Sequence, residues 1–254
     1  MSGNMIDILI PAALAGLLVL ATHVPLGQLV LARGIVFIDL AIAQVAGLGV
    51  VAADVAGWEA GAWSVQASAV ASALLASALL IWTERRLPDV QEAVIGVVFV
   101  VAASAEIILL SFNPHGAEHL KDLLVGQILW VSPDQLWPVA ILYATVLAIW
   151  HFGDLAKNRV LFYAVFAVAI TQSVQLVGVF LVFASLIVPA LVSRHGAAGG
   201  RLLTGYGVGV VGYLIGIAAS ATLDLPTGAS IVCGLAIAGV ATAIARGGRT
   251  GAAR

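Results

Sequence analysis

Charge is the scarcest commodity in this sequence. Only 9% of its 254 residues are Asp, Glu, Lys or Arg, where a soluble domain carries about 25%. Eleven basic and 13 acidic side chains cannot dress the water-facing surface of a protein this size. A cytosolic enzyme, a nucleic-acid-binding module and a disordered chain are therefore excluded. Cysteine is nearly absent: Cys233 stands alone in an apolar run, which excludes a disulfide framework and a thiolate metal cluster. No GxxxxGK[ST] phosphate loop occurs, so any ATP hydrolysis belongs to another chain. The N-terminal MSGNMID lacks the basic stretch of a secretory signal, and the first apolar run is expected to be a retained span. Long alternating apolar–polar strands are missing too, which excludes an outer-membrane barrel.

What is present is hydrocarbon. Hydrophobic residues make up 62% of the chain and mean hydropathy is +1.11. Apolar runs fall at 6–31, 35–56, 62–82, 92–112, 133–150, 158–192, 202–222 and 228–245. No tract is polar enough for an aqueous domain. The expectation is one all-α, polytopic integral membrane helix bundle of about 8–9 transmembrane helices, a single domain over residues 1–254. Asn113-Pro114 and Ser132-Pro133 read as N-cap plus first helical residue.

The 158–192 run is too long for one crossing, since at 1.5 Å per residue it exceeds the roughly 30 Å of hydrocarbon. Its polar centre, Thr171-Gln172-Ser173-Val174-Gln175, predicts two short spans meeting there. The chain then crosses nine times. Arg33, Arg85, Arg86, Lys157, Arg159, Arg194, Arg201, Arg246, Arg249 and Arg254 fall on one side and only Lys121 on the other. That bias places the C-terminus in the cytoplasm and the N-terminus outside. Glycine-rich runs, Gly205 to Gly209 and Gly234 to Gly239, predict close helix pairs.

Ionisable groups at membrane depth are costly and mark function by default. Asp39, six residues after Arg33, fits either an interfacial ion pair with that arginine or a cargo pathway. Glu106 lies about fourteen residues into the fourth span with no basic neighbour within a turn; it fits either a wet site close to the outer interface or a water-filled cavity or ion path. His23 precedes Pro25, which should kink the first span; the imidazole suits a structural hydrogen bond or contact with cargo. His115, Glu118 and His119 share a helix face if a helix starts at Pro114, and two imidazoles with a carboxylate suit a divalent cation such as zinc. The same segment also reads as a wet amphipathic connector.

Five blocks resemble the permease subunit of the ABC-3 family, bacterial zinc and manganese importers. They are Arg33-Gly-Ile-Val-Phe-Ile-Asp39-Leu-Ala-Ile-Ala-Gln44-Val-Ala-Gly-Leu-Gly49, Glu92-Ala-Val-Ile-Gly96, Leu124-Val-Gly126-Gln-Ile-Leu-Trp-Val-Ser132, the run from Val177-Gly178 to Pro189-Ala190, and Asp224-Leu-Pro-Thr-Gly228. The quoted residues run from Arg33 to Gly228, and the resemblance extends over about 26–235, most of the chain. The resemblance implies a homodimeric permease in the bacterial inner membrane, served by a cytoplasmic ABC ATPase and an extracytoplasmic metal-binding protein. It implies no permanently bound cofactor and no catalysis by this chain. The ATPase would dock first on the 151–159 loop, through Asp154, Lys157 and Arg159, and second at Ser193-Arg194-His195. One departure stands out. The family carries His four residues after the Asp, whereas Ala43 stands here and Gln44 is turned 100° away. Asp39 would then act with ligands from other spans, or the cargo is a chelate such as complexed iron instead of bare zinc or manganese.

The expectation is thus the membrane subunit of a divalent-metal ABC importer working by alternating access. An ion-coupled secondary transporter, with Glu106 and Asp39 as proton relay, is the alternative; it predicts inverted repeats, and none is evident. An intramembrane metalloenzyme would need an HExxH motif, which is missing. A non-transporting scaffold would tolerate loss of Asp39 and Glu106.

Overall fold

A computed structural model describes residues 2–58, 63–111, 124–126, 128–194 and 198–251. Nine α-helices occur among them: α1 (Ser2–Arg33), α2 (Ile38–Val55), α3 (Trp63–Arg86), α4 (Gln91–Leu110), α5 (Pro133–Phe152), α6 (Arg159–Val177), α7 (Val179–Ser193), α8 (Ala198–Leu223) and α9 (Thr227–Gly251). Eight are long and apolar enough to cross a bilayer, and α7 is a shorter apolar helix of 15 residues. α1, α2 and α6 are the most enclosed of the long spans, and α3, α4 and α5 the most open to the outside.

Two packing groups share the central helices. α2 lies against α3 and α4, and α6 joins α2 and α3; α1 lies against α7, α8 and α5, and α9 packs on α8 and α7. Glycine sets the spacing of the α8–α9 pair. A Cβ on Gly212 would meet the backbone of Leu235, and one on Gly216 would collide with Ile231 Cα. Between helices in lipid, such backbone contact replaces the hydrophobic drive available in water. Gly205 admits Val24 and Gly209 admits Leu20, both from α1, while Gly239 faces Val188. Gly207 faces open space, so the glycine run there packs on alternate positions only.

The disputed 158–192 run is indeed two helices, but the join is not the TQSVQ segment. That segment is helical throughout, and the chain turns at Gly178, with φ 83°. Polar side chains do not break a helix when a bundle satisfies them. Gln172 accepts from Gln66 Nε2 at 3.3 Å, and Ser173 bonds both Ala169 O and the Tyr143 hydroxyl. The reversal needs positive φ, which glycine adopts freely. Gly178 also meets the backbone of Gly126, where a side chain on either would clash.

Pro25 leaves α1 continuous as a helix. Proline removes the bond its own N–H would give the carbonyl four residues earlier; that orphan, Ala21 O, accepts from the Tyr206 hydroxyl of α8 at 3.0 Å. Ser132 and Pro133 start α5 as expected, with Ser132 N donating to Gln135 Oε1 at 3.1 Å. The described basic residues gather at one end of the bundle. Arg33 reaches the α5–α6 turn, Arg159 pairs with Glu84 at 3.3 Å, and Arg246 bonds Val192 O and the Thr204 hydroxyl.

Candidate functional site

Asp39, Ala43 and Gly47 recur every four residues and so form one ridge of α2. Asp39 stands in the first turn, 1% exposed, and neither carboxylate oxygen has a well-formed hydrogen bond among the described residues. The ion pair with Arg33 is not made. Arg33 Nη2 instead donates to Leu155 O at 2.8 Å and Ala156 O at 3.1 Å, and the guanidinium lies 4.2 Å over the Phe162 ring. The reason is geometric. Gly34, at φ 70°, turns the chain between Arg33 and α2, and Nη2 finds two adjacent carbonyls to bond while the flat guanidinium covers the Phe162 ring.

α4 supplies the second carboxylate. Glu106 is 2% exposed, and its Oε1 lies 2.9 Å from where a side chain on Gly47 would begin. The missing side chain at Gly47 is what lets a carboxylate lie against α2. At the other end of α4, Glu92 Oε1 accepts from Phe37 N at 3.2 Å, so the two helices run side by side from the Asp39 level onward. Asp39 and Gly47 are eight residues apart in sequence, or about 12 Å along the helix. The ridge therefore carries acid at two levels, with Ala43 between them.

His23 belongs elsewhere. It is fully buried on α1, the helix packed on α5, α7 and α8. Its Nδ1 lies 3.0 Å from Val19 O and 3.0 Å from the Thr22 hydroxyl, and its Nε2 is buried without a partner. With Nδ1 donating to Val19 O, Nε2 is a bare acceptor. His23, Asp39 and Glu106 do not converge: among the described residues no three His, Cys, Asp or Glu side chains group as a metal-holding set. His115, Glu118 and His119 lie outside the described residues. Chemically, each isolated carboxylate can take a proton or a passing cation. Burial makes an uncompensated charge costly, so occupancy by a cation is favoured over an empty, ionised site.

The basic end offers a surface of different character. The α5–α6 turn projects Asp154, at φ 45°, and Lys157, whose ammonium bonds the Asp154 carboxylate at 2.8 Å. That hydrogen bond and the adjacent negative charge hold the Lys157 pKa above the usual lysine value. Leu155, 1% exposed, pins the same turn into the core. Asp154, Lys157, Asn158 and Arg159 line an open depression with Arg85. Arg194 stands just beyond α7 at this end. At the opposite end a cavity of about 690 Å³ opens between α3, α5 and α6, with Gln66, Gln135, Gln172 and Gln175 on its walls and Trp63 and Trp130 at its rim.

Two contributors escaped the sequence reading. Gly47 carries no chemistry, and only its four-residue spacing from Ala43 and Asp39 hinted at it. Arg33 read as the partner of Asp39, because nothing local shows which way an arginine extends beyond a helix end.

The sequence profile of the ABC 3 transport family matches residues 5–156 and 154–246 of the chain. Among solved structures, PsaBC from Streptococcus pneumoniae in complex with Fab is similar, with a TM-score of 0.76 at 19% identity over 95% of this chain and 95% of that one. An ABC transporter assigned to the metal-chelate type, in an inward-facing conformation, gives 0.67 at 15% identity over 91% and 84%. At these identities the likeness concerns the fold.

Proposed function

We propose, from the premise that the chain belongs to the ABC 3 transport family, that it is the membrane-spanning subunit of an importer for a divalent metal. Zinc or manganese fits as a bare ion, and iron or another metal as a chelate. The observation that carries this reading is the α2 ridge, where two buried carboxylates, Asp39 and Glu106 against Gly47, lie at successive levels with no ion pair to a basic side chain among the described residues. Fixed anions spaced along a path let a cation step between them, and each site is weak enough to release it.

In this reading two copies of the chain face each other and the cargo passes between them. A binding protein outside delivers the metal to the segment holding His115, Glu118 and His119. The cargo then passes Glu106 and Asp39, while His23, enclosed on α1 apart from both carboxylates, is no part of this path. A cytoplasmic ATPase docks on the turn bearing Asp154, Lys157 and Arg159 and on the neighbouring Arg194, and its ATP cycle drives alternating access. The basic end faces the cytoplasm, as the positive-inside bias requires, and the N-terminus lies outside.

The departure at Ala43 bears on the cargo. A carboxylate with no second ligand on its own helix face binds a bare ion weakly, which favours a cargo that brings ligands with it. The deciding experiment is uptake into proteoliposomes holding this chain with its ATPase, assayed with free zinc, free manganese and chelated iron. ATP-dependent accumulation supports the proposal, and the preferred form names the cargo. Uptake that proceeds with the ATPase left out, driven by a proton gradient, would make the chain a secondary transporter instead.

A further inference from the structure

Arg33 joins two parts of the molecule that the proposed mechanism must connect. On one side is the exposed α5–α6 turn; on the other is the α1–α2 turn, residues 34–37, which leads into Asp39. The guanidinium spans them. It donates to the carbonyls of Leu155 and Ala156, and it lies over the ring of Phe162, fully buried in the first turn of α6. Leu155 fills the core directly beside those bonds, while Asp154 and Lys157 on the same turn face solvent. A force applied at the exposed side chains therefore meets a turn that is clipped at its backbone.

The far side is equally constrained. Phe37 N donates to Glu92 Oε1, and the Phe37 ring stacks on Phe183 of α7 with centroids 6.0 Å apart. The four residues between Arg33 and α2 are thus held at both ends, by α6 through Arg33 and by α4 and α7 through Phe37. Glycine at position 34, with nothing within 4 Å of where a side chain would begin, leaves this short segment room to rotate. Asp39 follows two residues after Phe37.

We infer that Arg33 is a positioning residue for transport, the clamp through which displacement of the α5–α6 turn is passed to the α1–α2 turn and so to Asp39. The inference rests on the proposed role of that turn as the docking place of an ATPase. The contacts Arg33 makes are with protein groups, two carbonyls and a ring. What it needs is the planar guanidinium, which bonds two carbonyls and covers an aromatic face at once. Lysine can offer its ammonium protons to the two carbonyls, which a single nitrogen, Nη2, bonds here, but it has no planar face to lay over the Phe162 ring.

The test compares ATP hydrolysis with metal uptake in proteoliposomes containing the chain, its ATPase and the external binding protein. Arg33→Ala should leave ATP hydrolysis near wild type and raise the ATP spent per metal ion by roughly two- to thirtyfold, the range by which coupling elements act. Arg33→Lys should recover part of the coupling. Phe162→Leu, which keeps the carbonyl bonds and removes only the ring, should fall between wild type and Arg33→Ala. If Arg33→Ala yields no monodisperse complex, the Lys and Leu variants decide by the same ratio. An unchanged ratio in all variants that fold, or hydrolysis and uptake falling in proportion, overturns the inference. Wild-type vesicles that move no metal at all would instead sink the proposed function, so the two failures are distinguishable.

Discussion

The α8–α9 pair and the α2–α4 pair solve opposite problems with the same residue. In the first, Gly212, Gly216 and Gly234 bring two backbones together, and the space a side chain would take is filled by the neighbouring helix. In the second, Gly47 makes room for the Glu106 carboxylate, so the space is filled by an ionisable group. One pair is closed by packing and the other is held open to charge. Small residues in a membrane bundle therefore do not mark function by themselves; what faces the missing side chain does.

The contrast breaks hardest at the packed pair. Gly216→Leu would drive a side chain into the Ile231 backbone, and overpacking on that scale should cost about 3 kcal/mol. The expected outcome is loss of monodisperse protein in detergent, measured by size-exclusion chromatography. Normal yield and melting temperature would mean that the two helices are free to separate.

At the charged pair the signs should reverse. Asp39→Asn removes a buried carboxylate without a partner, so the melting temperature should hold or rise while uptake falls roughly 10- to 100-fold, the loss expected for a charge-assisted contact. A variant that melts earlier and transports normally would make Asp39 a structural group. Glu106→Gln should act in the same direction, lowering uptake about three- to tenfold. Gly47→Ala should lower uptake about two- to threefold, with little change in melting temperature, by displacing the flexible end of Glu106. If Gly47→Ala matches Asp39→Asn in severity, the Glu106 level is the dominant one and the order must be inverted.

Gly207→Ala is the mildest case. Nothing lies within 4 Å of the added methyl, so shedding glycine's conformational freedom should stabilise α8 by about 0.4–1 kcal/mol. A melting temperature that falls, or a shift in oligomeric state, would place a second copy of the chain against this face.

Apolar length and the run of glycines made the bundle legible from sequence, and Ser132-Pro133 marked a helix start because proline can occupy only that place without losing a hydrogen bond. The Gly178 turn was hidden for a physical reason. Hydropathy registers polarity, and the polar TQSVQ stretch outweighed one glycine between two valines; yet Gln172 and Ser173 find partners on α3 and α5, and the turn falls at the glycine. Asp39 and Glu106 stood out as charges in hydrocarbon, and both are buried where the sequence placed them in depth. Their arrangement was not legible, because it depends on which face of α4 meets α2, and on Arg33 turning toward a loop more than 120 residues away.

Gly178 also bears on how the chain is made. A helix of 15 residues covers about 22 Å, short of the roughly 30 Å of bilayer core. Emerging alone from the ribosome, α7 is too short to be threaded across as an independent span. Joined to α6 by a single residue, it depends on that 19-residue neighbour and on its packing against α1, α8 and α9 for its place in the bilayer.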